Sequence, residues 1–416
     1  MSAAKPFNIP KKLVWRAYQL VKANKGSAGI DRQSLEDFQR KQKDNLYQIW
    51  NRMSSGSYMP PPVKAVAIPK KSGGERILGV PTVADRIAQM VVKLVLEPEV
   101  DRIFLPDSYG YRPGKSALDA IGTTRERCRR WDWVLEFDIV GLFDNISHEL
   151  LMKAVRKHTS IKWVLLYIER WLCAPMAYPD GTVVERTCGT PQGGVVSPVL
   201  ANLFMHYAFD AWMGRTYVNN PWCRYADDGL IHCESERQAM ALRTSLQSRF
   251  AECGLELHPK KTQIVYCKDY RRKGTYPRTQ FDFLGYTFRQ RVVRLSRPTR
   301  FFVGFGPAVS KASMKSMRTH VRQSGIRNRT DLSLLEIAKK FNPTLRGWLN
   351  YYGGYRRSEM YLVLRHFNLT LVAWAMAKFK RFRRRKTEAS RWLMKISKRD
   401  PRLFAHWQVG MVGSFI

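Results

Sequence analysis

Three observations predict an α+β fold for this chain of 416 residues. Short apolar runs broken by turn residues alternate with segments of helical period up to about residue 295. Several of those runs come in adjacent pairs that suit antiparallel hairpins. Beyond Pro307 the pattern is mostly helical, which puts a domain boundary near residue 300.

Residues 11–23 and 34–51 carry apolar side chains at helical spacing, with the loop NKGSAG between them. Pro60, Pro61 and Pro62 stop any helix there. Residues 63–68 and 76–80 read as strands around the turn KKSGG, a basic hairpin, followed by a long helix from Val83 to about Ile103. In WDWVLEFDIVGLFDNISHELLMKAV, residues 134–139 read as a buried strand, and Ser147 is the expected N-cap of the next helix. A polar loop ending in GTPQGG leads into a helix from about Val195 to Met213. PWCRYA and GLIHC then flank Asp227-Asp228 as the arms of a hairpin, and a helix runs from Glu236 to Cys253. HPKKTQIVYC and FDFLGYTF supply further strand.

A hydrophobic content of 44% with 12% aromatic residues is that of a globular chain. No stretch approaches the roughly 20 apolar residues of a membrane helix, and MSAAKPFNIPKK lacks a signal-peptide core, so a cytoplasmic protein without membrane contact is expected. The seven cysteines show no CxxC or Cys/His zinc spacing and read as reduced core thiols. The charge says most: 71 lysines and arginines against 34 acids give +37. Solubility of a small domain needs only about 2 to 8 net charges, so the excess points to a polyanionic partner, nucleic acid. From Arg291 onward there are 28 basic and 5 acidic residues, which makes the C-terminal third the expected clamp.

Asp138 at the end of a strand and Asp227-Asp228 in a hairpin turn are the candidates for chemistry. Carboxylates crowded at a turn repel one another unless a cation neutralises them, and oxygen-only ligands favour Mg²⁺. Two such ions would serve phosphoryl transfer. An isolated Asp-Asp pair is more often a solvated turn former.

The order FDIVGLFD, TPQGGVVSP, YADD, HPKKT, FLGY is that of reverse transcriptases, and the chain resembles the group II intron reverse transcriptase/maturase family. NKGSAGID, IPKKSGGERILGVPT, SYGYRPGKSALDAI and RGWLNYYGGY extend the likeness from about residue 20 to about residue 385. The resemblance implies a right-hand polymerase whose antiparallel palm sheet carries helices, joined to an α-helical thumb. It implies an N-terminal extension and the start of the fingers over residues 1–80, a fingers and palm core over 81–295, a thumb or maturase domain X over 300–385, and a short basic DNA-binding tail over 386–416. That tail is too short for the HNH endonuclease of many relatives.

The implied reaction is RNA-directed DNA synthesis with two Mg²⁺ ions, and the implied role is binding intron RNA, assisting its splicing and copying it during retrohoming. Intron RNA, an RNA template/DNA primer duplex, target DNA and dNTPs are the implied partners. By the same resemblance Asp138, Asp227 and Asp228 hold the metals, with the Ile139 carbonyl beside them. Lys261 is the implied proton donor to pyrophosphate, with Lys260 as its rival. Phe143 matches the aromatic gate against a 2′-hydroxyl, the alternative being an ordinary core ring. Gln192, Lys70 and Arg76 match nucleotide contacts, and Phe283, Leu284, Gly285 and Tyr286 match the primer grip. Asp144 reads as an anchor for the turn before Ser147. Val140 departs from the family's DIK, and Arg32 stands where GIDG has its second glycine. A domesticated relative in phage defence, CRISPR spacer acquisition or DNA repair would share this core. A splicing factor that never polymerises is the reading from another class, and the intact aspartates speak against it.

Trp348, Tyr351, Tyr352 and Tyr355 fall at helical spacing and suit one buried helix face, which is compatible with an aromatic thumb core. KFKRFRRRK at 378–386 carries seven cations in nine residues. It is either a solvated helix end or a phosphate-binding ridge of Lys378, Lys380, Arg381, Arg383, Arg384, Arg385 and Lys386. His406 is expected against Trp407 and Phe404 rather than on a metal.

Overall fold

The computed structural model describes residues 5–69, 73–295, 300–412 and 415. Two compact units emerge, one of Met1–Ala120 with Val134–Ile264 and one of Ile121–Trp133 with Val265–Ile416. The division thus falls at residues 264–265, upstream of the boundary expected near 300, and the second unit also claims a segment from the first half of the chain.

In the first unit, helices Lys11–Asn24, Leu35–Arg40 and Gln42–Ser55 open the chain. A reciprocal capping box between Ser34 and Asp37 starts the second of them. Arg32, in the position where the family has glycine, sits at φ +57, a left-handed conformation that glycine adopts without strain. The basic hairpin forms as expected, Val63–Pro69 against Glu75–Val80 in antiparallel register. Its first strand also pairs in parallel with Met176–Ala177. Thr82 caps the helix Val83–Asp101 through Asp85 N. The central sheet has the strand order Trp222–Tyr225, Asp228–Cys233, Trp133–Phe137, Gln263–Tyr266. The Phe137, Phe209 and Phe250 rings pack together beneath it.

The helix expected over 195–213 is not continuous. Ser197–Met205 and Ala211–Thr216 are α-helical, and His206–Asp210 between them is a π turn. The apolar pattern is the same on either side of such a turn, so periodicity does not reveal it.

The second unit contains a three-stranded antiparallel sheet, Gln280–Phe283, Tyr286–Leu295 and Arg300–Val309. Four helices follow, Lys311–Gln323, Leu334–Tyr352, Tyr361–Lys378 and Lys386–Arg399. Their core holds Phe341, Leu345, Phe367, Leu371 and Trp374. The segment after 386, expected as a separate tail, packs into this same core through Leu393, Phe404, Trp407, Met411 and Phe415. Burying that apolar surface outweighs detachment. His406 is buried against Phe404 and Trp407 as expected. Its Nε2 meets Asn368 Oδ1 at 2.7 Å, and burial pushes its pKa down to about 3.

The aromatic stripe is not one buried helix face. The helix ends at Tyr352, so Tyr355 lies beyond it, and the four rings are half-buried rather than a core face. No helix of the described residues is long and apolar enough to cross a membrane.

Candidate active site

Asp138 leaves the central strand where pairing continues irregularly with residues 256–258. His258 N donates to the Asp138 carbonyl at 2.8 Å, Val140 N donates to Glu256 O at 2.9 Å, and Ile139 forms a bridge with Leu257. Val140 therefore acts locally through its backbone. The Lys261 ammonium returns from the same segment to Asp138 Oδ2 at 2.9 Å, and that hydrogen bond raises the lysine pKa. Lys260, its rival, uses its backbone N–H on His258 Nδ1 at 3.3 Å.

Asp227 sits with Ala226 in a two-residue turn and Asp228 opens the strand after it, since Tyr225 pairs with Asp228. Ala226 in that turn adopts φ +60, a conformation that costs an L-residue roughly 1–2 kcal/mol. Gly110 packs flat against it, and a Cβ at Gly110 would lie 2.4 Å from Ala226 N. Asp228 is pushed up to about 7, first by burial and then by Asp227 and Asp138. Asp227 is raised as well, by burial and by Asp138.

The group that holds this turn is one that sequence reasoning missed. Arg224 is fully buried and donates to Asp210 at 2.7 and 2.6 Å, to Ser108 Oγ at 2.8 Å and to Asn202 Oδ1 at 3.1 Å. Its remaining bond, at 3.0 Å, goes to the carbonyl of Ala226 itself. Asp210 belongs to the π turn and is also fully buried. No motif marks it, because an arginine in a short alternating strand ordinarily faces solvent.

Phe143, on the short helix Leu142–Asn145, is half-buried, with the edge of Tyr111 6.3 Å from its ring. It is therefore not a core ring. Tyr111 is itself at φ +57, and its pKa is raised by burial and by Asp227. Arg76 Nε donates to Gln192 Oε1 at 2.5 Å, and Gln192 Nε2 donates to Asp144 Oδ2 at 2.8 Å. This chain joins the basic hairpin, the GTPQGG loop and the turn after Asp138. Gly193, at φ +131, allows the loop to lie against Gly79, where a Cβ would meet Gly79 O at 2.5 Å. Ser147 caps the next helix through Leu150 N, as expected. Lys70 lies outside the described residues.

In the second unit, Phe283, Leu284, Gly285 and Tyr286 form a tight hairpin turn instead of continuous strand, with Leu284 at φ +50 and Gly285 at φ +81. Tyr351 donates to Leu284 O at 2.8 Å, and Ser310 N and Ser313 Oγ both donate to Gly285 O at 3.0 Å. Tyr286 returns a bond to Tyr351 O. The 378–386 run is also not one helix: Lys380–Phe382 is a 3₁₀ turn, and the next helix starts at Lys386. Lys378 donates to Thr330 O and Leu332 O, Arg381 lies over the Phe382 ring, and Arg385 approaches Glu388. Lys380, Arg383, Arg384 and Lys386 are exposed.

Residues 68–288, more than half of the chain, match the reverse transcriptase (RNA-dependent DNA polymerase) family. The chain belongs to the reverse transcriptase family. Residues 314–393 of this reverse transcriptase match the group II intron maturase-specific domain. Protein YkfC of Escherichia coli K12 is 30% identical over 294 residues, which cover 61% of this chain and 76% of that protein. The group II intron-encoded protein LtrA of Lactococcus lactis is 33% identical over 194 residues, 46% of this chain but only 32% of that protein. The enzyme class is thus RNA-directed DNA polymerase, and the chain acts on RNA and nucleic acid substrates.

Reverse transcriptases use divalent metal ions. Among the described residues no three His, Cys, Asp or Glu side chains close into a ready-made metal cage. The donor set still fits a hard divalent cation, which takes carboxylate oxygens and keeps water or phosphate elsewhere. Burial and mutual repulsion raise both Asp227 and Asp228, and a bound cation relieves that repulsion.

Proposed function

We propose that residues 81–295 supply the fingers and palm and residues 300–385 the thumb of an enzyme that binds a group II intron RNA, assists its splicing and copies it into DNA during retrohoming. The observation that carries the catalytic part is the Lys261 ammonium 2.9 Å from Asp138 Oδ2, beside an Asp227-Asp228 turn whose carboxyls are raised by burial and by Asp138. Two Mg²⁺ ions, when bound, supply the charge that activates a primer 3′-hydroxyl and stabilises the departing pyrophosphate. Asp138, Asp227 and Asp228 hold that charge in place, with the Ile139 carbonyl beside them.

Lys261 carries a proton at Nζ and gives it to the pyrophosphate. In the resting enzyme the same ammonium neutralises Asp138. Phe143, kept half-open by its edge contact with Tyr111, excludes a 2′-hydroxyl from the sugar position. Arg76, Lys70 and Gln192 orient the nucleotide, the first and last already joined by a hydrogen bond. The 283–286 turn, fixed by Tyr351 and Ser313, bears on the primer strand. Exposed cations of the 378–386 segment take RNA and DNA phosphates.

Two arms test this reading. In the first, the full chain with Mg²⁺ and dNTPs extends a DNA primer on an RNA template. In the second, it accelerates self-splicing of a group II intron at low Mg²⁺ concentration. Failure of the first arm removes the polymerase reading, and failure of the second alone removes the maturase role.

A further inference from the structure

The second unit contains a cavity of about 530 Å³ that neither the catalytic carboxylates nor the 283–286 turn uses. Five arginines line it, from the 121–133 segment, the 269–271 loop, the strand pair 286–309 and the turn after Tyr352. Asp269 is the one acid in its lining; its Oδ1 accepts from the backbone N–H groups of Arg271 and Arg272 at 2.9 and 3.0 Å, and its Oδ2 lies 3.6 Å from the guanidinium groups of both. Five guanidinium groups against one carboxylate leave the lining with an excess of positive charge. Burial and the nearby Arg289 and Arg356 press the Arg291 pKa down to about 10, although Glu359 partners it. Such crowding is unfavourable for a closed core and suits an anion.

The cavity also has exposed aromatic surface. Tyr270 is 57% exposed, its ring standing edge-on to Phe302 at 6.0 Å with the Arg271 guanidinium 5.6 Å from it. Gly306 and Gly354 form bare walls, since a Cβ at either would meet nothing within 4 Å. A space of this size takes a small organic group. Flat aromatic faces beside planar guanidinium groups match a nucleobase with its phosphate, the recognition mode for unstacked single-stranded nucleotides.

We propose that this cavity, bordered by Tyr270, Phe302, Arg129, Arg271 and Arg356, is a second nucleic-acid site that captures one unstacked nucleotide of a single-stranded RNA segment. The base lies on Tyr270, and the flanking phosphates meet Arg129 and Arg271 at the rim. The site is independent of the polymerase chemistry proposed above, so a binding experiment tests it whether or not that reading holds.

The test uses the full chain with a single-stranded RNA 12-mer carrying one 4-thiouridine, a fully paired RNA hairpin, and uridine monophosphate. Irradiation should crosslink the 12-mer to the 270–302 region, as mapped by mass spectrometry. Tyr270→Ala should weaken 12-mer binding by about 5- to 150-fold and leave the hairpin within twofold of wild type, while Tyr270→Phe should keep wild-type affinity. Arg129→Gln combined with Arg271→Gln should make the salt slope for the 12-mer shallower by about 1.4. Three results overturn the proposal: no crosslink in that region, equal losses for 12-mer and hairpin, or monophosphate competing as well as the 12-mer, which would make the site one for free nucleotides. Tyr270 is exposed, so its truncation leaves the fold intact, and a thermal melt matching wild type verifies this.

Discussion

Replacing Arg224 with methionine keeps much of the side-chain volume but strands Asp210, a carboxylate with no exposed surface and two of its hydrogen bonds gone. Breaking one side of a buried ion pair costs about 3–5 kcal/mol, because the remaining charge has neither partner nor water. A protein of ordinary stability has about 5–15 kcal/mol in hand, so the variant should fold with a clearly lower urea midpoint. Removing the stranded charge as well, in Arg224→Met with Asp210→Leu, should restore stability to within about 1–2 kcal/mol of wild type, since apolar replacement of a whole buried pair is close to neutral.

Activity should not follow stability back. The Ala226 carbonyl loses its 3.0 Å donor in both variants, and a turn held at φ +60 then relaxes and carries Asp227 with it. A displacement on the order of 1 Å at a reacting group costs about 100-fold in rate. The assay is urea unfolding beside single-nucleotide addition at saturating template-primer. A single variant within 1 kcal/mol of wild type would refute the energetic argument, and a double variant with restored nucleotide addition would refute the positioning argument.

Phe143→Ala should admit ribonucleotides while dNTP incorporation persists, read as the ratio of rNTP to dNTP kcat/KM; an unchanged ratio means that the ring sets no limit at the sugar. Asp85, buried with Tyr58, Trp171 and Gln89 donating to it, has its pKa raised to about 6 from 3.8 by burial. The folded state therefore binds its proton more tightly, and the stabilisation is full below about pH 4 and lost as pH rises through about 6, a fall of roughly 3 kcal/mol. Unfolding free energies of wild type and Asp85→Asn across that range should show this fall only in wild type. Converting Arg383 and Arg384 together to Gln should make the salt dependence of RNA binding shallower by about 1.5 in log K against log salt, if both meet phosphates; an unchanged slope places the clamp elsewhere.

Local signals in the sequence were strong where turn chemistry and alternation agreed. The YADD hairpin, the basic hairpin at 63–80 and the Ser147 cap were all legible, each depending on a few adjacent residues. Tertiary effects were not. Leu at φ +50 is disfavoured by local propensity, so FLGY read as strand, and it turns only because Tyr351, Ser310 and Ser313 capture its two carbonyls. Arg224 and Asp210 are 14 residues apart in different elements, and an arginine in a short strand ordinarily faces water. The last 30 residues look like a basic tail by charge, yet Phe404, Trp407 and Phe415 recur at no fixed period and bury themselves in the helical core. The three candidate carboxylates were legible by motif, whereas what holds them in position was not.

The central claim is that Asp138, Asp227 and Asp228 perform metal-dependent DNA synthesis on RNA and contribute little to gripping it. Primer extension on an RNA template, measured beside template-primer affinity for wild type, Asp138→Asn and Asp227→Asn, tests this most directly. The account predicts extension by wild type with Mg²⁺, none detectable by either variant, and affinity within about threefold across all three, because phosphate contacts rather than the carboxylates set binding. Extension by either variant at a rate near that of wild type would contradict it.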